Sequence, residues 1–375
     1  MRKKKILLLS VSAGAGHQRA AEAIRVRAVQ NESHLDVLHL DVMNFVTTGF
    51  RKIYTDFYIR LVNKAPTLWG YLYHASNEAE ADSTLQRLRR GIERLNARSL
   101  LTAIADFQPD AIICTHFLPA ELLSRLLQKQ RLACPVWVQV TDFDLHKMWV
   151  HDHMAGYFVA NEETAYRVHL NGISKEKIHI TGIPIMPEFM QLANRQQCAA
   201  DLGIDPARTT ILLMGGGAGL GQLDQVAEGL LNTQMDIQLI VLAGKNQQAL
   251  TSLQQLEKRY PGQLVPLGFS NTVERLMACA DLIITKPGGL TTAECLASGL
   301  PMLVNSPIPG QEERNADFLL EQGVALKAID DISLRFHIEF LMTHPEKLAD
   351  MRRKAQALGK PEAAASVLRQ IQLST

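Results

Sequence analysis

A hydrophobic segment that runs straight into a glycine-rich loop and then into a helical pattern occurs twice, at residues 7–17 (LLLSVSAGAGH) and 211–221 (ILLMGGGAGLG). Around each copy, apolar runs of strand length alternate with longer helical patterns, with about six strands in each half of the chain. Such alternation is typical of parallel sheets covered by helices. The sequence therefore predicts an α/β protein with two doubly wound, Rossmann-like domains, whose ligands bind beyond the carboxyl ends of the strands.

The length and one proline-containing stretch indicate where the domains divide. At 375 residues the chain is long enough for two domains that each bury a core. Residues 182–187 (GIPIMP) contain two prolines, which cannot continue a central strand or a helix. We therefore expect domains at residues 1–186 and 187–360 that face each other across a cleft, and a C-terminal helix at residues 361–375 that packs back on the first domain.

Several protein classes are excluded by composition. No segment approaches the ~20 consecutive apolar residues of a membrane-spanning helix, and the apolar run at residues 6–9 is too short for a signal peptide. The five cysteines are scattered without C-x-x-C spacing, so we predict neither a disulfide framework nor a thiolate zinc site, and expect a reducing cytoplasm. The first half is basic but lacks any nucleic-acid-binding motif, so we expect no nucleic-acid partner.

The first glycine loop contains the strongest candidate for acid–base chemistry, His17. The loop is not a dinucleotide fingerprint, because Arg19 occupies a glycine position, and it is not a Walker A motif. A helix N-terminus disfavours the imidazolium form, so a histidine there would stay neutral and able to accept a proton. His17 is therefore a candidate general base; the alternative is a histidine that only caps the turn.

Three motifs in the second half suit a sugar nucleotide. Residues 215–221 contain five glycines in seven positions after a strand, which lets backbone N–H groups approach a diphosphate, although a tight turn alone is the alternative. Residues 286–301 follow another strand and place Glu294 early in a helix, where a carboxylate can accept ribose hydroxyls. The polar loop at residues 308–315 suits sugar hydroxyls.

Two further segments admit alternative interpretations. Asp142-Phe143-Asp144 is a D-x-D sequence with histidines close by, a combination that could bind a metal ion. Residues 45–74 interleave aromatic and basic residues, which suits an anionic membrane surface, although an ordinary amphipathic helix packed on its own domain would look similar.

Together these motifs resemble a known family. GGLTTAE at 288–294, the next strand, and PGQE at 309–312 are similar to the donor-binding signature of glycosyltransferases with two Rossmann-like domains, the GT-B architecture. AGAGH at 13–17, Thr141-Asp142-Phe143 with His146 and Trp149, and IPGQEERN at 308–315 resemble monogalactosyldiacylglycerol synthases and bacterial diacylglycerol glucosyltransferases. The resemblance extends over nearly the whole chain and includes the aromatic and basic segment.

The resemblance implies a role for each motif. His17 would activate an acceptor hydroxyl, with Asp142 as a reserve base or an orienting residue, and Gly16, His146 and Trp149 would lie on the acceptor side. A UDP-sugar donor would bind through its diphosphate at the glycine loop, its uracil near Phe269, its ribose at Glu294 and its sugar at Gln311. The implied donor-binding residues are Gly216, Gly217, Gly219, Phe269, Ser270, Gly289, Thr291, Glu294, Gln311 and Glu312. No metal or other cofactor is expected.

The resulting hypothesis is an inverting glycosyltransferase that moves a hexose from a UDP-sugar to diacylglycerol. It would act as a peripheral protein on the cytoplasmic face of the cell membrane, docked through residues 45–74. The alternatives are transfer of N-acetylglucosamine to an undecaprenyl-linked precursor, a UDP-N-acetylglucosamine 2-epimerase, and a non-catalytic sugar-nucleotide sensor. The PGQE loop and the aromatic segment count against the first, and the second needs no membrane segment.

Overall fold

The chain forms two compact units. The structure, a computed structural model, describes residues 2–12, 14–46, 49, 97–191, 193–215, 223–233 and 235–374. The first unit comprises Met1–Pro187, Ile308–Arg314 and Lys360–Thr375, and the second comprises Glu188–Pro307 and Asn315–Gly359. The polar segment Ile308–Arg314, which the sequence pattern places in the second domain, thus groups with the first unit.

A parallel sheet of six strands organises the first unit. The strands are β1 (Lys4–Ser10), β2 (Leu35–Asp41), β3 (Ala111–Cys114), β4 (Val136–Gln139), β5 (Gly156–Val159) and β6 (Ile178–Ile180). They pair in the order β2-β1-β3-β4-β5-β6. The described helices that connect or cover them are α1 (Ala15–Asn31), α2 (Ala97–Phe107), α3 (Phe117–Gln128) and α4 (Glu162–Leu170).

Another six-stranded parallel sheet organises the second unit. Its strands are β7 (Thr209–Met214), β8 (Ile237–Leu242), β9 (Leu264–Leu267), β10 (Leu282–Thr285), β11 (Met302–Asn305) and β12 (Ala325–Ala328). They pair in the order β12-β11-β10-β7-β8-β9, which is the strand order of the dinucleotide-binding Rossmann fold. The predicted α/β class with two Rossmann-like domains is therefore confirmed.

The remaining described helices follow in chain order. They are α5 (Arg195–Leu202), α6 (Leu223–Leu231), α7 (Gln247–Glu257), α8 (Val273–Cys279), α9 (Gly289–Ala297), α10 (Gln311–Glu321), α11 (Asp331–Thr343), α12 (Pro345–Leu358) and α13 (Ala363–Leu373). Among the helices within the described ranges, none combines the length and apolar character needed to cross a bilayer.

Both faces of the first sheet are buried, which explains why β1 reads as an uninterrupted apolar run. Leu7 and Leu9 point to one hydrophobic cluster, whereas Ile6 and Leu8 point to another on the opposite face. The second cluster includes Val367, Leu368 and Ile371 of α13. The C-terminal helix thus completes the core of the first unit, and each buried aliphatic side chain contributes about 1.5–3 kcal/mol.

Candidate active site

Three neighbouring strands of the first sheet carry the candidate catalytic residues at their carboxyl ends. In that sheet β3 lies between β1 and β4. Because parallel strands end at a common edge, the residues that follow them come together there. His17 follows β1, Thr115 and His116 follow β3, and Thr141 and Asp142 follow β4. The boundary between β1 and β3 is the switch point of the sheet, where ligands of such folds usually bind.

His17 lies in the first turn of α1. The residue that precedes this helix, Gly14, has a φ of 114°, a conformation that glycine adopts without strain. The helix begins at Ala15, and Gly16 lies immediately before His17 in the same turn. No side chain caps the helix N-terminus. The imidazole therefore lies at the positive end of the helix dipole, which disfavours its protonation.

Two hydrogen bonds fix which ring nitrogen of His17 carries the proton. Nδ1 lies 3.0 Å from the carbonyl oxygen of Thr115 and 2.8 Å from Oγ1 of Thr141. A carbonyl oxygen can only accept, so Nδ1 is the protonated nitrogen that donates to Thr115. Nε2 of the neutral ring then bears the lone pair, and this is the atom that can accept a proton from a substrate.

The surroundings keep this ring neutral. Desolvation lowers the pKa of His17 to about 4, and the hydrogen bond with the Thr115 carbonyl opposes part of that change. The side chain keeps some exposed surface, so close packing of its neighbours, rather than complete enclosure, is responsible. Near neutral pH the ring is thus uncharged.

A cluster of rings surrounds His17. The ring of His116 lies edge-on to it, with centroids 4.6 Å apart, and Trp149 lies at 6.1 Å. His116 caps α3, since its Nδ1 accepts from the backbone N–H of Leu118 at 3.0 Å. Burial, and next the proximity of His17, hold the pKa of His116 well below its usual range. Both rings are therefore neutral, and the cluster positions His17 through packing.

Asp142 contacts Gln311 within the first unit. Gln311 Nε2 donates to Asp142 Oδ1 at 2.6 Å, and Asp142 is 6% exposed. The hydrogen bonds that orient His17 come from Thr115 and Thr141. Glu312 accepts from the backbone N–H of Ile308 at 2.7 Å, which braces the loop before α10. Of the implied sugar-binding pair, Gln311 thus lies against the carboxylate that follows β4, whereas Glu312 holds its own loop.

The D-x-D sequence is held by cations and by α4. Asp144 pairs with Arg167 at 3.1 Å and with Arg314 at 3.3 Å. The carbonyl of Phe143 accepts hydrogen bonds from Asn161 and Thr164, both at 2.9 Å. Within the described ranges, no group of three or more His, Cys, Asp or Glu side chains is arranged to hold a metal ion.

The two implied acceptor-side residues after Asp144 are both buried. His146 caps the short 3-10 turn Lys147–Trp149, because its Nδ1 accepts from the N–H of Met148 at 3.1 Å. Trp149 is 3% exposed and belongs to the core cluster on one face of the sheet. Trp149 thus belongs to the rings around His17, and His146 caps the turn that carries Trp149.

The second sheet has its own switch point, between β7 and β10. Gly215 follows β7 and is buried, whereas Gly216, Gly217 and Gly219 lie outside the described residues. α9 follows β10 and begins at Gly289, with no side-chain cap and no acidic residue in its first turn. Thr291 lies in that turn, and Glu294 one turn later is 5% exposed. An uncapped helix N-terminus that follows β10, the strand beside β7, is suited to bind an anion.

The carboxyl ends of β8 and β9 carry the implied uracil-binding residues and one additional cation. Phe269 follows β9 and is 61% exposed. Lys245 follows β8, and its Nζ lies 5.4 Å from the centroid of the Phe269 ring. Ser270 Oγ accepts from the N–H of Thr272 at 3.1 Å. The edge of this sheet thus combines glycines, a helix N-terminus and an exposed aromatic ring.

Sequence reasoning missed four residues at these two edges. They are Thr115, His116, Thr141 as a partner of His17, and Lys245. One signal was available for three of them, because Thr115 and His116 follow β3, the buried strand beside β1, and Lys245 comes soon after β8, the buried strand beside β7. Residues 45–74, predicted to dock on a membrane, lie outside the described residues apart from Phe45, Val46 and Gly49.

Comparisons with known proteins match both halves of the chain. The family model for monogalactosyldiacylglycerol (MGDG) synthase matches residues 17–185, and the model for the glycosyltransferase family 28 C-terminal domain matches residues 210–367. A processive diacylglycerol beta-glucosyltransferase of Bacillus licheniformis is 27% identical, covering 98% of this chain and 94% of the relative. Monogalactosyldiacylglycerol synthase 1 of Arabidopsis thaliana is 28% identical, covering 98% of this chain and 70% of the relative.

Solved structures show the same fold. A UDP-GlcNAc 2-epimerase from Neisseria meningitidis, bound to UDP-GlcNAc, aligns with a TM-score of 0.64 at 15% identity over 98% of this chain and 99% of the other. MurG of Acinetobacter baumannii aligns with a TM-score of 0.62 at 18% identity, with the same coverage. The two family models and the full-length relatives establish that this chain is a glycosyltransferase of the monogalactosyldiacylglycerol synthase and bacterial diacylglycerol glucosyltransferase family.

Proposed function

We propose that the protein transfers a hexose from a UDP-sugar to the free hydroxyl of diacylglycerol, with inversion at the anomeric carbon. The observation that carries this proposal is His17, whose Nδ1 is engaged by Thr115 and Thr141 and whose Nε2 is left as the basic atom. The names of the relatives, which specify diacylglycerol, support the acceptor. The UDP ligands of the fold neighbours support the donor.

In the proposed reaction, Nε2 of His17 takes the proton of the acceptor hydroxyl. The oxygen forms a bond to the anomeric carbon as the bond from that carbon to the β-phosphate oxygen breaks, and UDP leaves with the electron pair. Thr115 and Thr141 keep the ring oriented and stabilise the imidazolium that forms, because Nδ1–H can donate to them throughout. The low pKa of His17 makes it a mild base that is fully available at neutral pH.

Departure of UDP is assisted by the second domain. The uncapped N-terminus of α9 and the glycine loop after β7 would stabilise the charge on the diphosphate, which replaces the role of a metal ion. Glu294 would accept the ribose hydroxyls. Gln311 and Glu312 would contact the sugar. Activity is accordingly expected to persist when divalent ions are removed with EDTA.

The acceptor is a lipid, so the enzyme must reach a bilayer. We assign this contact to residues 45–74, whose aromatic and basic side chains suit an anionic surface, on the cytoplasmic face of the membrane. The assignment predicts that added anionic lipid increases both vesicle binding and turnover. Equal activity on neutral and anionic vesicles would contradict it.

The deciding experiment is incubation of the protein with diacylglycerol vesicles and either UDP-glucose or UDP-galactose. Glycolipid products are analysed by mass and by anomeric configuration, and UDP release is measured with and without diacylglycerol. Lipid-dependent UDP release with an inverted product supports the proposal. No glycolipid with either donor would refute it, and epimerised UDP-N-acetylglucosamine formed without acceptor would establish the isomerase instead.

A further inference from the structure

Lys245 and Phe269 form an exposed pair whose position the core does not explain. Phe269 is 61% exposed, and the Lys245 ammonium lies over its ring at 5.4 Å from the centroid. Within the described part of the chain, no carboxylate forms an ion pair with Lys245. A large apolar ring held at the surface beneath an unpaired cation contributes little to folding, because the attraction between them is weak at exposed sites.

The strand order places this pair beside the proposed donor site. β8 lies between β7, which leads into the glycine loop, and β9, which leads to Phe269. Neighbouring strands are about 4.8 Å apart, so Lys245 follows the strand that separates the diphosphate loop from the uracil-side residues. Gly244, immediately before it, has a φ of 60°, which turns the chain sharply at the end of β8.

The N-terminus of α7, the helix that follows Lys245, is less suited to bind an anion than the Lys245 ammonium is. The N-terminus of α7 is capped by Asn246, whose side chain accepts from the N–H of Ala249 at 3.0 Å. That cap engages one of the N–H groups that could otherwise face an anion. The ammonium of Lys245, with three N–H donors on a flexible stem, is therefore the group at this strand end best able to reach a phosphate.

The geometry points to Lys245 as a donor-binding residue that contacts the diphosphate of the UDP-sugar, with Phe269 as the platform that holds its ammonium between phosphates and base. This inference rests on the proposed function. Lys245 then supplies positive charge next to the leaving group, in addition to the N-terminus of α9. The contact depends on the phosphates and not on the nucleoside.

The test is calorimetric titration of UDP, UMP and uridine into Lys245→Met, Lys245→Arg and the unmodified enzyme. Methionine keeps the length of the side chain and removes the charge. We expect Lys245→Met to weaken the affinity for UDP about tenfold and to leave the affinity for uridine within about twofold. The dependence of the UDP affinity on salt should also decrease. Lys245→Arg should recover most of the affinity. Lys258→Met is the matched control, because Lys258 is the exposed C-cap residue of α7 in the same connection between β8 and β9.

The outcomes separate this inference from the proposed function. Equal UDP affinity in Lys245→Met and Lys258→Met would overturn the role of Lys245 and leave the proposed function intact. An equal loss of affinity for UDP and for uridine would show that Lys245 acts only through the shape of the Phe269 loop. That result would also overturn the proposed contact between Lys245 and the diphosphate. No binding of UDP to the unmodified enzyme would refute both. Phe269→Leu should weaken the affinity for UDP. The same substitution should have a smaller effect in the Lys245→Met variant, because the two side chains are coupled.

Discussion

The carboxyl edges of the two sheets share a topology but not a chemistry. In the first sheet, the segments after β3 and β4 supply a carbonyl, a hydroxyl and a ring that hydrogen-bond or pack against His17, which lies in the first turn of the uncapped helix α1. In the second sheet, the loops after β7 and β10 carry glycines and an uncapped helix N-terminus, and Phe269 remains exposed. Side chains and a carbonyl thus pack around the helix start at the first edge, whereas the described part of the second edge combines an uncapped helix start with an exposed ring.

The difference follows from what each task requires. A general base must present one nitrogen in one orientation, so its ring has to be locked by partners and desolvated. A diphosphate instead needs many N–H groups and unobstructed approach, which side chains would block. Under the proposed function, two copies of one architecture divide the reaction into a proton-accepting half and an anion-binding half. Substitutions at the first edge should lower kcat, whereas substitutions at the second edge should weaken the affinity for UDP.

The largest effect is expected for His17→Ala. Without the base, kcat should fall by about a thousandfold, while the affinity for UDP stays within about twofold because UDP is assigned to the second sheet. Steady-state kinetics and UDP titration measure the two quantities. His34→Ala is the control, since His34 is 60% exposed on its side chain and precedes β2 at the opposite edge of the same sheet. Equal losses of turnover and UDP affinity in His17→Ala would break the proposed division.

Glu294→Gln, in the second unit, should weaken the binding of UDP and leave turnover nearly unchanged. A charged acceptor of ribose hydroxyls contributes about 1.5–3 kcal/mol, so the Kd for UDP should rise about tenfold to a hundredfold. The turnover number at saturating donor should change much less. Glu321→Gln, an exposed carboxylate at the end of α10, is the control. A fall in kcat with an unchanged Kd would mean that Glu294 belongs to the chemistry.

The sequence predicted the strands of both sheets well because their signals are local. Alternating apolar runs predicted about six strands in each half, as the two sheets have, and His17 was singled out from its place at a helix start; its role as a base stays a prediction. The partners of His17 were harder to find, since Thr115 and Thr141 lie 98 and 124 positions away and meet it only through the strand order. Asp142 was considered as an orienting residue, yet the oxygen atoms that bind Nδ1 come from a backbone carbonyl and a hydroxyl.

Thr141→Val tests this orientation with a smaller effect. Valine keeps the shape of the side chain but removes the hydroxyl that lies 2.8 Å from Nδ1, so kcat should fall about fivefold to tenfold with little change in KM. Thr141→Ser, which keeps the hydroxyl, should retain most of the activity. Thr181→Val is the control, because Thr181 is also buried and donates to the Gly182 carbonyl beyond β6. Full activity in Thr141→Val would leave the Thr115 carbonyl as the orienting group.

The smallest effect is expected from a change of pH between 8 and 5.5, over which kcat/KM should depend little on the titration of His17. Desolvation lowers the pKa of His17 to about 4, so the basic form is present throughout this range and is lost only as the pH falls toward 4. An ordinary histidine, with a pKa of about 6.5, would lose about nine-tenths of its basic form by pH 5.5. The profile of kcat/KM should therefore keep its acid limb below pH 5. The unfolded chain takes up a proton that folded His17 does not, so the free energy of unfolding should also decrease as the pH falls from 6.5 to 4. An acid limb near pH 6.5 would mean that water solvates the His17 ring. That result would contradict the desolvation that distinguishes the carboxyl edge of the first sheet from that of the second.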